Sequence, residues 1–405
     1  MNILMILAWR NIWRHPGRSG VLLAAIIAGL WAGVVVSAWG NGLMEQRTDY
    51  LIQNDLTHAQ LHHPDYLTER DPWMNIPNHK DILAFLEEDE RVRSYAPRTL
   101  SDGMLQSPVK SAGVRIHGVD AQREPETTTF HENLIEGSYL VGNIRNPVLI
   151  GLSLASEHNL EIGNRIVLSF QDVENQFTSV AFNIAGIYRT PSTSHDEQNV
   201  YVRSEDLTML LAGRPVYHEI AMMLQGSEMA DAVTADLNQE FSAILAQTWY
   251  EISPELRYLS DMGGFMVSII TGIIMLALAF SILNTMLMAI FERMRELGML
   301  LAIGMSKPRV FNMIMLESII LTLTGAVSGL LLAFITIAVL GEHGIDLTMF
   351  GEGLAEFGYD PIVYPVMTTG QYAVVLLIVI VAVLLASIYP ALKAMRLNPV
   401  EVNKE

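Results

Sequence analysis

The sequence predicts a membrane α-helical protein with four transmembrane helices and a large α/β extracytoplasmic domain. Three observations carry that prediction. The first is composition: of 405 residues, 51% are hydrophobic and only 17% charged, the balance of a membrane protein with a sizeable soluble part. The second is a set of four apolar runs, at 19–42, 263–290, 311–340 and 371–390. A hydrocarbon layer of about 30 Å takes roughly 20 helical residues, so each run can span. The third is the long segment 43–260, which holds 32 Asp and Glu against 15 Lys and Arg. That excess accounts for nearly all of the formal charge of −18. It argues against nucleic acid as a partner, because a phosphate backbone binds basic surface. The chain has no cysteine, which excludes a disulfide framework and a thiolate metal site.

Residues 1–18 read as a cytoplasmic or interfacial helix, with Ile3, Leu4, Ile6, Leu7, Trp9 and Trp13 apolar and Arg10 and Arg14 on the wet side. The same residues fit a plain basic flank of the first span. They do not read as a cleavable signal peptide, since Arg10, Arg14 and Arg18 follow the apolar start and the next run is too long for a signal core. In the first span Ala25, Gly29, Gly33 and Ser37 recur every four residues; Ala277, Ser281 and Thr285 do the same in the second, and Gly325 and Gly329 form a pair in the third. Such ridges let helix backbones approach closely. They predict a packed bundle, continued into a second copy or a sister subunit.

The 43–260 segment reads as mixed α/β. Residues 59–63 suggest a strand, 79–90 a helix, 218–224 a strand and 227–246 a helix, so its two ends are expected to build one subdomain. Between them 148–150, 165–170, 180–188 and 200–202 suggest a strand-rich insert, with turns at Gly163-Asn164 and Glu174-Asn175. His58, His62 and His63 lack a carboxylate or cysteine to complete a metal set. Gly151-Leu-Ser-Leu-Ala155 lacks the final glycine of a nucleophile elbow, so no catalytic residue is assigned.

Orientation follows from basic residues near the spans. The first 18 residues carry three Lys or Arg, 291–310 carries four and 391–405 three, whereas the loop 341–370 has none against five acids. Both termini and 291–309 are therefore expected in the cytoplasm, and 43–260 and 341–370 outside. Within 291–309, Met294, Leu297 and Leu301 fall on one helical side and Glu292, Arg293, Arg295 and Glu296 crowd the first turn; Gly298 and Gly304 interrupt it and Ser306-Lys307-Pro308 starts a new helix. The pattern suits a charged loop between spans or a helix that docks on a soluble partner. Glu317 is the one acid inside the third run. An intramembrane acid points to function; it also lies near enough to the cytoplasmic face to reach water, Lys307 or Arg309.

The pattern Glu292-Arg293, Glu296, Gly298, Ala302-Ile303-Gly304 resembles the coupling segment of the FtsX- and MacB-like ABC transporter permeases (type VII), most closely the lipoprotein-releasing LolC/LolE-type branch. His62-His63-Pro64-Asp65-Tyr66, Gly118-Val119-Asp120, Glu136-Gly137, Gly186-Ile187-Tyr188 with Asp196, and the ending Tyr389 to Val400 extend the resemblance along the chain. It implies a periplasmic domain with a porter-like part and a β-rich Sabre-like insert. It also implies an inner-membrane location and a coupling helix at 291–309 that sits on a cytoplasmic ABC ATPase dimer. ATP and Mg would be held by that partner, for this chain has no phosphate-binding G-x-x-x-x-G-K-[ST] loop. The coupling residues on this resemblance are Glu292, Arg293, Arg295, Glu296, Leu297, Gly298, Ala302 and Gly304. The expected function is a non-enzymatic permease subunit that transmits ATP-driven motion to the periplasm, extracting lipoproteins or other amphiphiles from the outer leaflet. The alternative is a transmitter that activates a periplasmic hydrolase. Other expected partners are membrane lipid and a periplasmic carrier or adaptor. In one lipoprotein-releasing permease a long hairpin docks the carrier, whereas the turn Asp172 to Gln176 is short here.

Overall fold

The computed structural model describes residues 16–356 and 358–395. Residues 1–15 of the expected interfacial helix and 396–405 of the expected tail lie outside the described residues. In chain order the elements are α1 (Pro16–Leu51), a π-helical turn (Ile52–Leu56), β1 (Ala59–His62), α2 (Tyr66–Glu69), α3 (His79–Glu88), β2 (Val92–Gln106), β3 (Ser111–Val119), α4 (Glu124–Thr127), β4 (Leu134–Gly137) and β5 (Pro147–Gly151). There follow α5 (Leu152–His158), β6 (Arg165–Gln171), β7 (Phe177–Tyr188), α6 (Thr193–Gln198), β8 (Asn199–Arg203), α7 (Ser204–Ala212), β9 (Glu219–Leu224), α8 (Ala230–Glu240) and β10 (Leu245–Thr248). The chain ends with α9 (Trp249–Ile252), α10 (Pro254–Glu292), α11 (Met294–Ala302), α12 (Lys307–His343), β11 (Ile345–Asp346), α13 (Gly351–Glu356), β12 (Ile362–Val363) and α14 (Thr369–Met395). Among the described residues one unit comprises 16–45, 260–346 and 362–395, and the other 46–259 and 347–361.

In the first unit α1, α10, α12 and α14 correspond to the four apolar runs. Helix is what such runs must adopt, because lipid offers no partner for an open backbone group. Ile26, Leu30, Val34 and Ala38, one four-residue stripe of α1, are fully covered and share a core with Val310, Met313 and Leu321 of α12 and Val379 of α14. The small residues set the distances. A Cβ on Gly33 would lie 2.9 Å from Met275 Cε and 3.3 Å from Ile274 Cγ2 of α10. One turn on, Ser37 Oγ is 2.5 Å from Thr271 Oγ1. A Cβ on Gly325 would lie 2.8 Å from Ile26 Cγ2, and one on Gly329 3.1 Å from the backbone oxygen of Ile27.

The ridges at Gly33, Ser37, Gly325 and Gly329 therefore close α1 against α10 and α12 of the same chain. The packed bundle expected from these ridges is thus present within one chain. Ala25 and Gly29 are half-buried, Ala277 is exposed, and the side chains of Ser281 and Thr285 lie outside the described residues.

The second unit is built on one sheet in the order β10-β1-β9-β2-β3-β8-β5-β7-β4, with β6 paired to β2 and β7. The two ends of the segment meet there, β1 lying between β9 and β10. β2 is shared between two cores. Its first half, Val92–Arg98, pairs with β9, and its second, Thr99–Gln106, pairs with β3. Side chains alternate along a strand. Tyr95 thus enters a core with Leu61, Ile82, Ile220 and Leu237, and Leu105 a core with Ile116, Leu168, Phe182 and Val200. Arg98 and Asp102 stand on the opposite face.

Two local outcomes differ from the sequence reading. The helix expected over 227–246 stops at Glu240, and Asn238 then bonds both the N–H and the carbonyl of Ala246 at 2.8 Å, turning 245–248 back as β10. β2 and β3 were not anticipated. Pro97, Gly103, Gly113 and Gly118 interrupt their apolar pattern. The three histidines serve separate neighbours. His58 Nδ1 accepts from Leu224 N at 3.1 Å, His62 Nε2 meets Glu219 Oε2 at 3.2 Å, and His63 lies edge-on to Trp73. The β6–β7 turn is tight, Asp172 Oδ1 accepting from the N–H groups of Glu174 and Gln176 at 2.9 and 2.8 Å.

A charged cluster ties the strands together under cover. Arg98 donates to Glu124 Oε1 at 2.6 Å and Oε2 at 3.2 Å, to Glu219 Oε1 at 2.6 Å, and to the Asp55 carbonyl at 2.8 Å. Burial alone would raise the Glu219 carboxyl, but Arg98 and then His62 outweigh it and hold it down at about 2.

Gly33→Leu and Gly325→Leu should each lower the stability of the isolated chain by about 1–3 kcal/mol, the cost of overpacking. Unchanged thermal unfolding of the purified protein in detergent would mean that these positions face lipid. Arg98→Met should cost about 3–5 kcal/mol, because it strands two buried carboxylates. Glu219 is a depressed acid, so its contribution is present above its ordinary value of 4.5 and is lost as pH falls from there toward about 2. Unfolding followed against pH should show that acid loss in the parent and a flatter profile in Glu219→Gln.

Candidate functional site

The candidate site is the segment that joins α10 to α12. α10 ends at Glu292, and Arg293, with φ −101° and ψ 13°, breaks the helix before α11 begins at Met294. α11 is closed at its other end by Gly304, whose φ of +98° suits glycine and whose N–H donates to the Leu301 carbonyl at 3.1 Å. Ser306 then leads into α12, with Pro308 in its first turn, where a missing N–H costs nothing.

The two faces of α11 have different neighbours. Leu297 is 2% exposed and belongs to the bundle core with Val310, Met313 and Ile314, while Leu300 and Leu301 pack against that core. Gly298 is buried beside Leu297. The apolar stripe visible in the sequence thus seats the helix on its own bundle. The opposite face is Arg295, Met299, Ala302 and Ile303; Met299 is 66% and Ile303 76% exposed. Glu292 and Gly304 are also exposed, and Glu296 is half-exposed. Apolar side chains left bare among charges at a helix surface are what a docking face requires.

The joint is held by an ion pair. Arg293 Nη1 donates to Glu317 Oε1 at 3.0 Å and Oε2 at 3.1 Å, and each side chain is 14% exposed. Arg293 Nε also reaches Glu296 Oε2 at 3.4 Å. The sequence reading offered Lys307 and Arg309 as the cations near Glu317. The structure instead brings Arg293 to it, because the break after α10 turns that side chain back toward α12. Sequence spacing alone could not show this, for the two residues lie on different helices. Lys393 of α14 lies 4.6 Å from the centre of the Phe291 ring, a second link at this end of the bundle.

Residues 19–240 match the MacB-like periplasmic core domain, and residues 268–399 the FtsX-like permease C-terminal domain. The chain is 22% identical over 397 residues to the lipoprotein-releasing system transmembrane protein LolC of Neisseria meningitidis serogroup B, spanning 94% of this chain and 92% of that protein. It is 23% identical over 400 residues to the macrolide export ATP-binding/permease protein MacB of Nitrosomonas europaea, spanning 87% of this chain and 56% of that protein. Among solved structures, the periplasmic region of MacB from Actinobacillus actinomycetemcomitans aligns with 52% of this chain and 98% of that one, at 13% identity and a TM-score of 0.36. A MacB-like core domain followed by an FtsX-like domain, in a chain with four apolar helices, makes this protein a member of that permease family: a multi-pass inner-membrane ABC transporter permease of the LolC/MacB type, with its large domain in the periplasm.

Proposed function

We propose that this permease couples ATP hydrolysis by a separate cytoplasmic ABC ATPase dimer to conformational change in its periplasmic domain, and that the work done there extracts lipoproteins or other amphiphiles from the outer leaflet of the inner membrane. The observation that carries the coupling is the two-sided α11. Its inner face is locked to the bundle by Leu297, Gly298 and the Arg293–Glu317 pair, and its outer face leaves Arg295, Met299 and Ile303 bare. A helix fixed on one side and apolar on the other can pass a push from a partner into α10 and α12. The cargo reading is supported by the match along nearly the full length of a protein named for lipoprotein release. A second permease, as a copy or as a sister subunit, would complete the assembly. A carrier or adaptor would meet the periplasmic side, though the tight turn at Asp172–Gln176 offers no long hairpin for it.

The outer and inner faces of α11 should separate in experiment. Arg295→Glu with Met299→Asp should leave the melting temperature of the permease unchanged. The same pair should reduce co-purification of the cognate ABC ATPase, and the stimulated ATP hydrolysis in lipid, by at least about tenfold, the equivalent of about 1.4 kcal/mol. Normal association and stimulation would sink the coupling reading.

Gly298→Trp should act differently. It forces a ring into the seat beneath α11, lowering the stability of the permease alone and its coupling together. Arg293→Leu removes the two hydrogen bonds that Arg293 donates to Glu317 across the joint and should lower the stability of the permease. The swap Arg293→Glu with Glu317→Arg should recover part of that loss. A double variant no better than the single one would show that the pair does not hold the joint.

A further inference from the structure

The periplasmic unit contains a half-open chamber of about 790 Å³. Small-molecule sites commonly measure roughly 300–1,000 Å³. One wall is the face of the β2–β3 ladder turned away from the core, where Leu100 stands opposite His117 and Asp102 opposite Arg115. Asp55 from the π-helical turn, Arg70 from the end of α2 and His195 from α6 also line it. Four separate parts of the chain thus place polar groups around one space.

Most of the charges there are already committed. Arg115 Nε holds Asp102 Oδ1 at 3.1 Å, and Glu219 is taken by Arg98 and His62. Burial disfavours the protonated form of both imidazoles. Burial pushes His117 down to about 4 against the opposing pull of Asp55, and burial likewise lowers His195. Both rings are fixed by neighbours, His117 Nε2 with Asn199 Oδ1 at 2.8 Å and His195 Nε2 with Tyr201 OH at 3.0 Å.

Two formal charges remain. The Asp55 carboxylate and the Arg70 guanidinium make no side-chain hydrogen bond or ion pair among the described residues, although both border the chamber. Arg70 is held at φ +58° by a bond from its own N–H to the Tyr66 carbonyl at 2.9 Å, a conformation that non-glycine residues seldom keep.

We propose that this chamber binds a small zwitterion, its ammonium group received by Asp55 and its acidic oxygens by Arg70, with Leu56, Leu67 and Ile252 beside the carbon linker. A simple anion or cation would satisfy one of the two charges and leave the other unpaired, whereas a zwitterion answers both without adding net charge. A phosphoethanolamine headgroup and a short peptide with free ends share this chemistry. The site lies within one unit, and its occupancy does not depend on coupling to an ATPase.

The test is titration calorimetry on the full-length protein in nanodiscs made of phosphatidylglycerol, which lacks an amine. The probes are glycerophosphoethanolamine and alanyl-alanine, with inorganic phosphate and ethylamine as single-charge controls. At least one zwitterion should bind, and each control should bind at least about tenfold more weakly, the scale of one charge-assisted hydrogen bond. Preference for the first probe identifies a lipid headgroup as the source, and preference for the second a peptide. Asp55→Asn and Arg70→Gln should each weaken binding by about tenfold with the melting temperature unchanged, and Arg70→Lys should keep part of the affinity. The proposal is overturned if the folded parent binds neither zwitterion, if phosphate or ethylamine binds as tightly, or if both variants bind like the parent.

Discussion

Lipid tails are as apolar as leucine, so a membrane bundle gains little from hiding its side chains and depends on how closely its backbones can approach. Here that constraint falls on α1. It meets α10 through Gly33 and Ser37 and meets α12 through the surfaces opposite Gly325 and Gly329, while its Ile26-Leu30-Val34-Ala38 stripe fills the space between. The approach at Gly329 is to the backbone of α1 itself, which no rotamer change can relieve. Everything placed on the bundle, including the seat of α11, presupposes these contacts.

The segment that joins α10 to α12 shows how far residue patterns reach. The closing glycine of α11 and the restart at Ser306 were legible, because each depends on local chemistry, a positive φ and a proline in a first turn; the break at Arg293 was not, and the interruption expected at Gly298 does not occur, since α11 runs through it from Met294 to Ala302. The direction of the apolar stripe was not legible. Leu297 and Leu301 could equally have faced a partner or the bundle, and only the position of Val310 and Met313 decides for the bundle. The partner of Glu317 was hidden for the same reason, since the identity of a cation across a helix joint is a tertiary fact.

In the periplasmic unit the short buried strands were readable and the longest was not. β5 and β9 are buried along their whole length and announce themselves as apolar runs. β2 carries Tyr95 and Leu105 on one face and Arg98 and Asp102 on the other, with Pro97 and Gly103 between. Its sequence reads as a loop because its second face meets charges and a chamber instead of a core. The Arg98 cluster was equally invisible, because its four members come from β1, β2, α4 and β9. Period-two patterning finds strands whose polar side is wet; it overlooks one whose polar side is covered.

The order in which β1 finds its partners has a consequence for biogenesis. β1 ends at His62, yet it pairs with β9 and β10, which begin at Glu219 and Leu245. As the chain is exported from its N-terminal side, β1 reaches the periplasm long before either neighbour has been synthesised. It waits there as an unpaired strand, the kind of surface on which aggregation starts. Its brevity and its alternation of Gln60 and His62 with Ala59 and Leu61 limit that hazard. The insert from β3 to β8, by contrast, has most of its pairings within itself and can fold during the wait. The sheet is thus completed from its middle outward, and the step that closes it comes last, when β10 arrives just ahead of α10.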